Sequence, residues 1–173
     1  MEKPVLCFDR DRTVDVSPPE TGRAVPLAWV QYYAECTTHD VWATGNPRLC
    51  QEAGIPSPRE ARELLVDAGV EPVAPYDRMN TGRLDRLRLL EQLYDAVNER
   101  ERRFVVVDDT DVTAFTASRP WTYYQPDEFV EAVADGQFTQ PDSDAVAGEP
   151  YGDPARGDTY QSQLDRFERR LRE

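Results

Sequence analysis

Short apolar runs alternate along this chain with longer stretches in which apolar positions recur every three or four residues. The runs are Val5–Phe8, Val41–Ala43 and Phe104–Val107, and residues 70–75 and 121–125 are further, more mixed strand candidates. Unbroken runs of this length predict strands buried on both faces of a parallel sheet. Between them, residues 26–35 carry Leu27, Val30, Gln31 and Ala34 at helical spacing, with Trp29, Tyr32 and Tyr33 around them. Ser57-Pro58-Arg59-Glu60 has the form of a capping box and predicts a helix through Leu64, Leu65 and Ala68 that stops at Gly69. Asn80 or Thr81 would cap a further helix, with Leu84, Leu87, Leu90 and Tyr94 as its apolar stripe and Val97 extending it. Phe129, Val130 and Val133 mark another over residues 126–134, closed by Gly136. Strands alternating with helices predict an α/β fold, with a mostly parallel sheet of about five strands.

Two stretches interrupt the pattern. Residues 14–26, with Pro18-Pro19 and Gly22, read as an irregular loop or small hairpin placed to wall whatever site follows the first strand. Residues 137–157 are rich in Pro, Gly and Asp and read as a linker. A last amphipathic helix would start at Asp158 or Thr159, with Tyr160, Leu164, Phe167 and Leu171 on one side. That side would dock on the core, pair with a second copy in a homo-oligomer, or stay free. The division is therefore a main domain over residues 1–136 and an acidic linker plus helix over residues 137–173.

Composition narrows the setting. The 173 residues suit one domain with a substantial core. No apolar run has membrane-spanning length and the N-terminus lacks a signal peptide's pattern, so a soluble cytoplasmic protein with no membrane partner is expected. Three cysteines are an odd number without a disulfide framework, and Cys36, His39 and Cys50 match no standard zinc spacing. Acidic residues number 33 against 20 basic, the net charge is −13, and Lys3 is the only lysine. This balance resembles that of salt-in halophilic archaea, whose self-repelling surfaces need molar salt as a screen. It argues against a nucleic-acid partner.

The candidate chemistry stands at the strand ends. Val5–Phe8 runs into Asp9-Arg10-Asp11-Arg12-Thr13, and a parallel strand delivers its last residues to the carboxyl edge, where open α/β sheets bind ligands. In an extended chain Asp9 and Asp11 would face one pocket, whereas a curl after the strand would give them different roles. Carboxylates so close repel unless a cation or shared proton intervenes, which makes Mg²⁺ a natural companion. Thr44 ends the second strand at the same edge, and Asn46-Pro47 opens a short helix whose amide end favours an anion. Arg83 and Arg86 stand near a helix start, where the dipole disfavours cations, and that cost points to a local anion. Arg88 reads as part of a solvated face. Phe104–Val107 ends in Asp108 and Asp109, so three or four carboxylates would gather at one edge.

In this order the segments resemble the haloacid dehalogenase-like superfamily of phosphatases. The first motif, D-x-D-x-T after an apolar strand, stands here as Asp9-Arg10-Asp11-Arg12-Thr13; the second as Val41-Trp42-Ala43-Thr44; the fourth as Val105-Val106-Val107-Asp108-Asp109. The third is normally a lysine at a helix start, for which Arg83 or Arg86 would substitute. Family members often have glycine where Arg12 stands, and Arg10 resembles a D-R-D-G-T variant whose zinc-binding cysteines have no match here. The resemblance spans residues 4–135. It implies a Rossmann-like three-layer α/β/α fold without a large cap domain and a Mg²⁺-dependent phosphatase acting on a small-molecule phosphate ester. Asp9 would be the nucleophile, Asp11 the acid and base, and Thr44 with Arg83 or Arg86 would hold the phosphoryl oxygens. Asp9, Asp11 (through its backbone carbonyl) and Asp108 would bind the metal, with Asp109 orienting the basic group or a metal-bound water. A phosphotransferase is a variant of the same chemistry. A binding or scaffold module that keeps the pocket without turnover is the alternative, motivated by Arg12, the missing lysine and the acidic tail.

Overall fold

The central strand is β1 (Val5–Phe8). In the computed structural model it pairs in parallel with β2 (Val41–Ala43) on one side and β3 (Phe104–Val107) on the other, and β4 (Trp121–Tyr124) pairs with β3. The structure describes residues 3–76, 81–116, 120–141 and 158–173. Every residue of β1, β2 and β3 is buried, as unbroken apolar runs require in a sheet covered on both faces. Among the described residues the sheet has four strands, not five. Residues 70–75 form no strand: Pro72 and Pro75 cannot donate to a ladder, and Val73 is exposed. Instead Gln92 pins this segment, donating to the Glu71 carbonyl and accepting from the Val73 amide.

Helices cover both faces, giving three layers. On one face, Val5, Cys7, Trp42, Phe104 and Val106 pack with α3 (Pro58–Asp67), α4 (Arg83–Ala96) and α7 (Asp158–Leu171) through Leu65, Leu87, Leu90 and Phe167. On the other, Leu6, Phe8, Val105 and Val107 meet α1 (Leu27–Cys36), α2 (Arg48–Ala53) and α6 (Pro126–Ala134) through Val30, Tyr33, Leu49, Phe129 and Val133. A short α5 (Thr113–Thr116), not expected from the sequence, follows β3. The capping box of α3 is formed as read, and Gly69 takes the left-handed conformation just past that helix. The start of α4 differs. Gly82 is its N-cap, Asn80 lies outside the described residues, and Leu84 is exposed while Leu89 and Leu93 join the buried side. No helix among the described residues is long and apolar enough to cross a membrane.

The apolar side of α7 docks on the chain's own core. Phe167 is fully buried against Trp42 and Tyr94, with ring centroids 5.9 and 5.0 Å apart. β2 is an edge strand, and α7 closes that edge with one side chain. The Gln163 amide accepts from the Val41 N–H and donates to the Val41 carbonyl, both at 3.2 Å, as a neighbouring strand would. Arg166 then pairs with buried Asp40 at 2.8 Å and Arg170 with Glu99 at 2.8 Å. Residues 142–157 of the linker lie outside the described residues.

Candidate active site at the carboxyl edge of the sheet

Register builds this site. Phe8 is level with Ala43 on one side and Val107 on the other, so Asp9, Thr44 and Asp108 leave the sheet side by side. The edge between β1 and β3 is also where the chain reverses its direction of winding, since β2 lies to one side of β1 and both later strands to the other. Crevices of open α/β sheets form at such points. An open cleft of about 440 Å³ lies there, lined by Asp9, Gly45, Tyr76, Arg83, Arg86 and Asp109 among others.

Asp9, Asp108 and Asp109 bring carboxylate oxygens within 4.8 Å of one another, and this is the group among the described residues able to hold a metal ion. Asp9 is 3 % exposed and Asp108 1 %. Burial raises the Asp9 carboxyl well above its ordinary range, and Asp108 beside it pushes the same way. Asp108 is raised by burial too, although the Thr110 amide and Arg83 favour its charged form. The guanidinium of Arg83, the first residue of α4, donates to Asp108 at 2.6 Å and lies 3.6 Å from Asp9. The anion expected at this cationic helix start is thus the protein's own carboxylate pair. One guanidinium against three carboxylates leaves excess negative charge in a buried place. All-oxygen donors of this kind suit a hard divalent cation such as Mg²⁺.

The second arginine does different work. Arg86 donates to the Thr44 carbonyl at 3.3 Å, while its Nε is buried without a partner. The Thr44 and Thr13 hydroxyls are likewise buried and without a hydrogen-bond partner among the described residues. Beside Thr44, a Cβ on Gly45 would run into the Asp9 carboxylate, so only glycine lets the backbone pass this close to it.

Asp11 stands apart from this group. The chain curls directly after Phe8, with the Thr13 and Val14 amides donating to the Arg10 carbonyl and Arg12 in the left-handed region at φ 60°. The Asp11 side chain is 51 % exposed, held by Arg10 at 2.7 Å and by the Asn46 amide at 3.0 Å. The Asn46 hydrogen bond, more than that of Arg10, lowers its pKa in this state, against the rise that acid catalysis needs. Arg10 is itself clamped by Glu52 of α2 through two hydrogen bonds, at 2.6 and 3.2 Å. The sequence reading gave no part to Glu52, Gly45 and Tyr76, and took Arg10 only as a motif variant. The Arg10–Glu52 contact joins residues 42 apart and leaves no periodic trace.

Of the residues considered for zinc, His39 bonds the Pro4 carbonyl before the sheet and Cys36 is exposed at the last position of α1. Lys3 bonds Thr139, before β1 rather than at the cleft. No protein-family model, curated protein or solved structure matches the chain.

Proposed function

We propose that this chain is a haloacid dehalogenase-like phosphomonoester hydrolase acting through an aspartyl-phosphate at Asp9. The observation that carries the reading is the convergence of Asp9, Asp108, Asp109 and Arg83 at one sheet edge, beside the unpaired Thr44 hydroxyl. Packing gives no reason to bury carboxylates together; handling a phosphoryl group does.

In the first step an Asp9 oxygen attacks phosphorus, the ester P–O bond breaks, and the departing alkoxide takes a proton from Asp11. In the second, water attacks phosphorus and gives a proton to Asp11, the Asp9–phosphorus bond breaks, and inorganic phosphate leaves. Asp11 must exchange Arg10 and Asn46 for the leaving oxygen, and its exposed position permits that. The Thr44 hydroxyl and the Arg83 and Arg86 guanidiniums hold the equatorial oxygens, where arginine offers a two-pronged grip. Asp9, Asp108 and Asp109 would hold a Mg²⁺, whose charge would keep Asp9 ionised and offset that of the phosphate.

The test is phosphate release from p-nitrophenyl phosphate with Mg²⁺ in molar KCl. Wild type turns over and Asp9→Asn does not; equal rates in the two refute the mechanism.

A further inference from the structure

Arg12 has no part in the chemistry above, yet it sits at the mouth of the cleft. Three neighbouring arginines are each engaged by a carboxylate: Arg10 by Glu52 and Asp11, Arg23 by Asp127, and Arg83 by Asp108. Among the described residues Arg12 has no such partner. Its backbone holds a left-handed conformation that glycine adopts without strain, fixed by its amide donating to the Ser17 carbonyl at 2.7 Å. A strained arginine whose guanidinium meets no carboxylate among the described residues, at a cleft mouth, is poorly explained by folding.

Arg12 and Asp109 also line a second recess, of about 240 Å³, between the loop at residues 19–23 and the start of α6. The loop is closed at its base by Val14 and Val25, both buried, with Asp15 and Val25 amides donating at 2.9 Å each. It therefore walls this side recess, whereas the sequence reading placed it on the pocket of Asp9 and Asp11. In the recess Asp127 is already paired with Arg23 at 2.8 Å, and Glu20, Thr21 and Gln125 add polar lining, which leaves Arg12 as the cation of the recess that no carboxylate holds among the described residues. A group bound at Asp9 and extending past Asp109 would meet the Arg12 fork. On a chain of net charge −13, a local cation is what overcomes general repulsion of an anion.

We propose that Arg12 selects phosphate esters whose alcohol part carries a second anionic group, a carboxylate or another phosphate, seated in this recess. The inference rests on the phosphatase reading and names its substrate class.

The experiment compares kcat/KM for 3-phosphoglycerate and glycerol 3-phosphate, which differ in a carboxylate against a hydroxymethyl group. It is run at the lowest KCl at which the chain stays folded, because salt screens the contact. Wild type prefers the carboxylate by roughly ten-fold or more, the scale of one charge-assisted contact. Arg12→Gly, matched to the backbone, brings the ratio near one, and Arg12→Lys keeps part of it. An unchanged ratio in Arg12→Gly, or a wild-type ratio of one, overturns the proposal. A binding arm separates the two readings: calorimetric titration of both esters into Asp9→Asn, with and without Arg12→Gly. Binding that discriminates by Arg12 without any hydrolysis in wild type upholds the recess and sinks the phosphatase reading. Hydrolysis without discrimination does the reverse, and neither binding nor hydrolysis overturns both.

Discussion

Gly45→Ala is the sharpest perturbation that the geometry offers. A methyl group there overlaps an Asp9 carboxylate oxygen and lies 2.7 Å from Cγ and 3.3 Å from Cα of that residue. Asp9 is buried between β2 and β3 with Arg83 at 3.6 Å, so its carboxylate must swing off its present line rather than simply yield. Overpacking on this scale costs about 1–3 kcal/mol of stability, and misplacing a reacting group by ~1 Å costs about 100-fold in rate. The variant should therefore stay folded while phosphate release from p-nitrophenyl phosphate falls by about two orders of magnitude, or ~2.7 kcal/mol of barrier. Gly82→Ala is the control, since a Cβ at Gly82 meets nothing within 4 Å. Melting temperature and initial rate are measured for both in molar KCl. A folded Gly45→Ala with a rate close to that of the control would show that the position of the Asp9 carboxylate does not govern the reaction.

Three further outcomes follow from the same structure. Mg²⁺ should raise the melting temperature of wild type, by an amount equivalent to about 2.7 kcal/mol at a hundred times its Kd, and Asp109→Asn should largely lose that shift; an equal shift in both removes the carboxylate group as the metal site. Burial and the neighbouring Asp108 raise the Asp9 carboxyl, and a group raised by folding stabilises while protonated and loses this as pH climbs through its folded pKa. Asp9→Asn stays neutral, so without metal its stability advantage over wild type should grow from pH 4 toward neutrality and above in denaturant titrations; a gap independent of pH contradicts this. Gln163→Leu strips both partners from the Val41 peptide groups and should cost about 1–3 kcal/mol, whereas an unchanged midpoint would mean that the Gln163 seat on the β2 edge adds nothing to the docking of α7.

The strand ends were legible because parallel buried strands have an unmistakable pattern and the sheet places their last residues together. Asp9, Thr44 and Asp108 could thus be brought to one edge without coordinates. The extra strand at residues 70–75 came from weighing Val70 and Val73 above Pro72 and Pro75, whose missing donors decide against a ladder. The i, i+2 rule for Asp9 and Asp11 holds only while the chain is extended, and the curl at Arg12 ends that. The clamp of Arg10 by Glu52, the seating of Gln163 on the β2 edge and the closeness of Gly45 to Asp9 are long-range contacts. They depend on how helices settle on the sheet, which periodicity does not encode. The choice between Arg83 and Arg86 was open for the same reason: both stand one turn apart at a helix start, and only packing shows that Arg83 reaches the carboxylates while Arg86 reaches Thr44.

The most direct measurement is the covalent state of Asp9 during turnover. Wild type quenched in acid while hydrolysing a phosphate ester with Mg²⁺ should carry one added phosphoryl group, placed on Asp9 by peptide fragmentation and absent from Asp9→Asn. Steady hydrolysis by wild type with the label on another residue, or with Asp9→Asn still turning over, would contradict the account.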